Sequence, residues 1–237
     1  MTNEDVWVGL FSGGKDSSWA LYRALERGLP VERLVTVHPE GDSYMYHVPA
    51  TDLARFAAES IGIELVEVRP DEFTGVDSSR RGDAELEPLE WALEELGDDL
   101  EIAGLTVGAV ASEYQHSRVS EMADRLDVEV FAPLWQAAPY RAADAMLDAG
   151  FEIRIVAVAA AGLDESWLGR RLDTAALAEL ETLEAEYGVH PLGEGGEFET
   201  LVTNGPHMER RLELEYSTAW EGTRGHLEIE SARLAPE

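Results

Sequence analysis

Apolar positions along the chain come in short blocks that switch between two periods. Residues 6–11, Val-Trp-Val-Gly-Leu-Phe, form an unbroken apolar run of the length of a strand buried on both faces. Beyond Ser12, the positions of Trp19, Leu21, Tyr22 and Leu25 mark one face of a helix that Gly28 and Pro30 close. The same alternation predicts strands over 34–37 and 64–68, separated by a helix that Thr51 caps and that ends at Ile61-Gly62. A helix over 83–96, a strand over 105–110, a helix over 115–126 and a strand over 128–131 follow. Strand and helix in regular succession predict a parallel sheet with helices on both faces.

After Pro133-Leu134-Trp135 the pattern changes. A helix over 140–147, a strand over 153–159 and a longer acidic helix over 174–187 lead into a glycine-rich loop over 190–200. Two strand-like stretches close the chain, 211–216 and 226–233, the latter with Leu227, Ile229 and Ala232 in near alternation. The expected organisation is an α/β domain over residues 1–132 and a second, smaller α+β domain over 133–237, packed closely, with no repeat or low-complexity linker. The longest apolar stretch, 155–162, falls far short of the ~18 residues of a membrane-spanning helix. Met1-Thr2-Asn3-Glu4-Asp5 lacks the basic start of a signal peptide, so a soluble, cytoplasmic protein with no membrane contact is expected.

Composition changes the picture in three ways. Of 237 residues, 48 are Asp or Glu and 18 are Lys or Arg, a formal charge of −30. Hydrophobics at 45% are nevertheless ordinary for a globular chain, so the acidity is not that of a disordered one. Nucleic-acid affinity comes largely from Lys and Arg neutralising phosphates, and no stable nucleic-acid binding is expected. The pairs Arg80-Arg81, Arg170-Arg171 and Arg210-Arg211 sit among acids and read as solvated surface. The absence of cysteine excludes disulfides, zinc–thiolate and iron–sulfur sites and any cysteine nucleophile. Lysine occurs once, as Lys15. Carboxylate enrichment with almost no lysine predicts a halophilic protein, because high salt screens the self-repulsion.

The lone lysine stands in Ser12-Gly13-Gly14-Lys15-Asp16-Ser17, between the first strand and the first helix. Gly9, Gly14 and Lys15 are in register with a Walker A loop, but Asp16 takes the place of its magnesium-binding Ser or Thr. The physics of anion binding still holds, since a helix start offers unpaired N–H groups and a favourable dipole. Gly13 and Gly14 let the backbone approach phosphate, Ser12 and Ser17 offer hydroxyls, and Lys15 brings a point charge.

This six-residue loop resembles the pyrophosphatase loop of the N-type ATP pyrophosphatases. That resemblance implies a Rossmann-like doubly wound sheet and ATP cleavage between the α and β phosphates. It also implies that a carboxylate or amide oxygen is adenylated before a nucleophile displaces AMP. Without cysteine, a built-in glutaminase of the usual kind and a persulfide relay are excluded.

Four further segments narrow the resemblance: Asp42-Ser43-Tyr44-Met45-Tyr46-His47; Gly108-Ala109 with Ser112, Tyr114, Gln115 and Arg118; Pro133-Leu134-Trp135; and His190-Pro191 followed by Gly193-Glu194-Gly195-Gly196-Glu197-Phe198-Glu199-Thr200. In this order they resemble the diphthine–ammonia ligase family over about residues 6–205, the last segment being the most specific. Family members often carry Cys where this chain has Leu192. The resemblance implies conversion of the diphthine carboxylate on translation elongation factor 2 to diphthamide, with ATP and ammonium consumed and AMP and pyrophosphate released. It implies an archaeal source, and the composition a haloarchaeal one.

On this reading Ser12, Gly13, Gly14, Lys15, Asp16, Ser17 and Gly108 bind ATP, with Asp16 a candidate Mg2+ ligand. Asp42, Tyr44, Tyr46, His47, Gln115, Arg118 and Glu199 are candidates for substrate binding, and Lys15, Glu194 and Glu197 for catalysis. Carboxylates and aromatic faces suit the trimethylammonium of diphthine, and a carboxylate can take the proton that ammonium must lose. The base stays open among Glu194, Glu197 and Glu199, which are equally compatible with a solvated loop. Arg118 can fork onto phosphate or pair with Glu113 or Glu121. Other readings are a related amidase acting on another carboxylate, as in corrinoid salvage, a tRNA-modifying pyrophosphatase, and a non-catalytic nucleotide-binding regulatory module. The charge predicts that the fold weakens as salt is withdrawn and the screening length grows from about 3 Å at 1 M to about 30 Å at 0.01 M. Circular dichroism in low and multimolar KCl checks this, and equal stability in both would remove the habitat reading.

Overall fold

The structure, a computed structural model, describes residues 5–38, 50–69, 86–108 and 113–236, with the backbone alone at 50–52 and 113–116. The chain divides into two compact units: Met1–Ser12, Asp16–Asp42 and Gly62–Trp135 form the first, and Gly13–Lys15, Ser43–Ile61 and Gln136–Glu237 the second.

The first unit is built on a five-stranded parallel sheet of order β3-β2-β1-β4-β5. Its strands are β1 (Val6–Leu10), β2 (Val31–Val37), β3 (Glu64–Val68), β4 (Ile102–Thr106) and β5 (Glu129–Phe131). The helices that go with it are α1 (Lys15–Glu26), α3 (Glu87–Gly97) and α4 (Glu113–Leu126), while α2 (Ala50–Ile61) belongs to the second unit. This is the expected Rossmann-like arrangement. One face of the sheet is sealed where Val8, Val35 and Leu105 meet Leu89 and Leu93 of α3 and Met122 of α4. The two helices are joined by Glu90, 2% exposed, whose carboxylate accepts a forked pair of bonds from Arg125 at 2.7 and 2.8 Å. A buried carboxylate needs such a partner to offset its lost hydration. Strand β4 begins and ends earlier than the expected 105–110. Its Gly104 lies under the Trp7 ring, where an added Cβ would come within 2.6 Å, so this glycine makes room for the indole within a strand.

The second unit holds a four-stranded sheet of order β7-β6-β9-β8, paired antiparallel throughout. Its strands are β6 (Glu152–Val158), β7 (Phe198–Asn204), β8 (Leu212–Glu221) and β9 (Arg224–Leu234), with α5 (Pro139–Asp148) and α6 (Thr174–Tyr187) as further helices. The α+β expectation holds, and α6 has the expected bounds. Asp173 caps it by accepting the Ala176 N–H at 2.9 Å, and left-handed Gly188 ends it. Strand β7 is a correction to the expected loop over 190–200, whose last residues are strand: Leu201, Val202 and Thr203 are all buried. Helix α2 is tied to the turn before β8. The Ser60 hydroxyl donates to the Arg210 carbonyl at 2.6 Å and accepts the Arg210 N–H at 2.8 Å, and Arg210 pairs with Glu59 at 2.7 Å. Among the described residues no helix is long and apolar enough to cross a membrane.

In the same turn His207 stacks on Phe151, with ring centroids 5.2 Å apart. The residue is half-buried, but both ring nitrogens are shut away from solvent. Burial pushes the imidazole from 6.5 down to about 4. The unfolded chain therefore binds a proton more readily than the folded one, so stability is lost as pH falls from about 6.5 to about 4. That loss is at most about 3 kcal/mol. His207→Phe keeps the stacking and removes the proton site. Urea unfolding at neutral and at acid pH should show a smaller acid loss in the variant than in the parent, and equal losses would contradict the assignment.

Candidate active site

In a doubly wound sheet the ligand crevice opens at the carboxyl ends of the strands, where the strand order reverses. Here the reversal lies between β1 and β4, which pair in parallel. A cleft of about 450 Å3 opens there within the first unit. Its apolar walls include Val35 and Val37 of β2, Leu89 of α3, Val119 of α4, and Val107 just after β4. Its polar positions are Ser12, Asp16, Ser17, Thr36, Gly108 and Arg118. An apolar slot with polar groups at one side suits a purine nucleoside carrying phosphates. The Ser17 hydroxyl accepts the Ser12 N–H at 3.2 Å and lies 3.2 Å from the Ser12 hydroxyl, holding the loop in a tight bend. Gly108 passes so close to the start of α1 that a Cβ there would lie 2.7 Å from Asp16 C and Ser17 N. Of the residues expected to bind ATP, Ser12, Asp16, Ser17 and Gly108 thus meet at one cleft, joined by Arg118 from the substrate set.

Gly13, Gly14 and Lys15 have their contacts in the second unit. Lys15 is 3% exposed, and its ammonium donates to the Leu192 carbonyl at 2.5 Å, 5.7 Å from the centre of the Phe198 ring. Its backbone N–H donates to the Thr200 hydroxyl at 3.2 Å, and the Gly13 carbonyl accepts the Val202 N–H at 2.9 Å. In the glycine-rich loop, Glu197 accepts N–H bonds from His190 at 3.0 Å and Gly195 at 2.8 Å, one on each carboxylate oxygen. His190 accepts the Leu192 N–H on Nδ1 at 3.2 Å. Glu199 lines a small hollow of about 70 Å3 with Phe198, Arg224 and His226.

Asp42, Tyr44, Tyr46 and His47 lie outside the described residues, and Gln115 is described only as a backbone position on α4. Among the described residues no group of three or more His, Asp or Glu side chains is placed to hold a metal ion, and Asp16 brings a single carboxylate to the cleft. Sequence reasoning missed Thr36 and Val37, although the strand-end rule marks the last residues of β2 as cleft positions. It also missed Arg224 and His226, which carry no local signal and come to Glu199 only through strand pairing: Ala157 of β6 faces Glu199 on one side and His226 on the other.

Comparison with known proteins gives a consistent picture. Residues 6–130 match the family described as diphthamide synthase N-terminal domain, and residues 138–235 that of the diphthamide synthase C-terminal domain. A diphthine–ammonia ligase of Danio rerio is 33% identical over 218 residues, 86% of this chain and 84% of the relative. That of Homo sapiens is 32% identical over 223 residues, 89% and 83% of the two chains. A crystal structure of a predicted subunit of tRNA methyltransferase from Methanocaldococcus jannaschii covers 85% of this chain and 97% of its own, at 20% identity and a TM-score of 0.43. A nucleotide-sized cleft at the switch point of a parallel sheet, in a chain with these relatives, defines an ATP-dependent ligase. Within that class, the chain belongs to the diphthamide synthase family.

The approach of Gly108 to α1 generates a prediction. Gly108→Ala forces Asp16 and Ser17 aside at a steric cost of about 1–3 kcal/mol, so ATP should bind about tenfold more weakly or worse. Isothermal titration with ATP reads this, and unchanged affinity would place the nucleotide elsewhere.

Proposed function

We propose that the protein amidates the diphthine carboxylate of translation elongation factor 2, using ATP and ammonium and releasing AMP and pyrophosphate. The observation that carries this reading is the strand-end cleft bordered by Ser12, Asp16, Ser17 and Gly108, in a chain matched to one ligase family over nearly its whole length. The two curated relatives reported above, of Danio rerio and Homo sapiens, are each named for this one activity, which favours neither another amidase nor a regulatory module.

The division of labour we infer gives residues 1–132 the nucleotide and residues 133–237 the substrate. The adenosine enters the apolar cleft, and the phosphates lie on the loop of Ser12, Gly13, Gly14, Lys15, Asp16 and Ser17. An oxygen of the diphthine carboxylate attacks the α-phosphorus, and pyrophosphate leaves with the bonding electron pair. Lys15 stabilises the charge that gathers on the departing oxygens. Ammonia then attacks the carbonyl carbon of the acyl-adenylate, and AMP leaves with the electron pair of the broken C–O bond.

Ammonium must first give up a proton, and Glu194 and Glu199 are the acids we assign to that step. Glu197, which the sequence equally admits as a catalytic acid, has both oxygens on backbone N–H groups and serves as the brace of the loop. Asp42, Tyr44, Tyr46, His47, Gln115 and Arg118 are proposed to receive the substrate side chain. Mg2+ fits this site as an ion held by Asp16 together with ATP phosphates and water, its usual mode in ATP enzymes. The setting is the cytoplasm, where the elongation factor works.

Purified protein with ATP, ammonium and diphthine-bearing elongation factor should yield AMP and a product in which a carboxyl OH has become NH2, read by mass spectrometry. An elongation factor of unchanged mass would overturn the assignment. Lys15→Met keeps the buried stem without the charge, and AMP formation should fall about 10²–10³-fold. Near-normal AMP release by this variant would remove Lys15 from the chemistry.

A further inference from the structure

Lys15 opens α1, and the first N–H groups of a helix have no partner within it. Such donors are commonly satisfied by a Ser, Thr, Asp or Asn next to them in the chain. Lys15 finds its hydroxyl on β7 instead, at Thr200, 185 positions later and 3.2 Å away. Two residues before Lys15, the Gly13 carbonyl accepts the Val202 N–H. The main chain of 13–15 is therefore laid against β7 at two points. At the other end of the side chain the ammonium meets the Leu192 carbonyl. That carbonyl is itself held in place. Gly193 has φ +69°, and a Cβ on it would lie 2.6 Å from the Phe198 carbonyl, so only glycine lets the chain turn there. Glu197 and His190 fix the residues on either side through their backbone N–H bonds.

We propose that Thr200 is a positioning residue for the phosphate-loop lysine. Its hydroxyl holds the main chain of Lys15 while the Leu192 carbonyl holds the ammonium. A lysine stem is flexible and a lone ammonium is a poorly directed charge. Anchored at both ends, it meets a leaving group without first losing its freedom, which is where preorganised charge has its effect. The proposal rests on the ATP-cleaving reading above and assigns it a residue outside the phosphate loop.

Thr200→Val keeps the shape and removes the hydroxyl, whereas Thr200→Ser keeps the hydroxyl. With the full chain, ATP, ammonium and diphthine-bearing elongation factor, the valine variant should lose about tenfold to hundredfold in kcat, with KM for ATP changed by less than about threefold. The serine variant should return to within about threefold of the parent kcat. A bond that served only the fold would lower the melting temperature and leave kcat alone, and that result overturns the proposal. Should the valine variant not fold, Thr200→Ala against Thr200→Ser reads the same difference. Amide hydrogen exchange on the parent protein gives an independent reading. The Lys15 N–H should be protected, and exchange as fast as that of an exposed amide overturns the proposal. A parent protein that releases no AMP would instead defeat the ATP reading, whatever the variants do.

Discussion

Enclosing the one lysine, Lys15, to 3% exposure is a costly local demand. Stripping such a group of water carries an effective penalty of several kcal/mol, met only by well-placed partners. The Leu192 carbonyl and the face of Phe198 supply part of that compensation, and both come from the stretch that leads into β7. The shape of the glycine-rich loop follows. Leu192 can face Lys15 only if the chain turns sharply at Gly193, and the turn holds because Glu197 and His190 gather the backbone N–H groups around it. What looks in sequence like a run of acids awaiting a substrate is, for Glu197, the internal scaffold of a loop that houses a charge.

The strand-end cleft obeys a different constraint, the reversal of strand order between β1 and β4. The reversal leaves a gap at the strand ends, and Gly108 narrows it until the backbone after β4 touches the start of α1. The buried Glu90–Arg125 fork keeps α3 and α4 together, so that Leu89 and Val119 stand as fixed walls. The acidity of the chain plays little part in either arrangement. Lys15, the one lysine, and Glu90, an acid buried at 2% exposure, each have specific partners, while many of the remaining acids lie on the surface.

Much of this was legible beforehand, for reasons that differ by element. β1 showed as an unbroken apolar run and α6 as a capped, glycine-terminated helix, because their signals are local. The turn from β1 into α1 showed because Gly13-Gly14 follows an apolar run and precedes a helical face. β7 did not show. Three glycines at 193, 195 and 196 precede it, and its first polar residues, Glu199 and Thr200, continue the polar motif, so the strand was hidden behind the turn that starts it. The membership of α2 in the second unit was equally hidden, since it depends on Ser60 meeting Arg210 across 150 residues. The bond from Lys15 to Thr200 has no local trace at all. Separations of that kind are a property of the fold, and neither periodicity nor spacing reports them.

That separation has a consequence for the chain as it is made. Synthesis runs from the N-terminus, and the early strands can emerge and pair while the far half is still unmade. The phosphate loop cannot be finished with them. Partners of Gly13 and Lys15 sit at Leu192, Thr200 and Val202, so the hydroxyl that holds the Lys15 main chain is made 185 residues after it. A fragment ending at the junction near Trp135 would keep all five strands of the parallel sheet and lack the Leu192 and Thr200 contacts of Lys15. The loop is thereby completed only by residues made after the last strand of the parallel sheet.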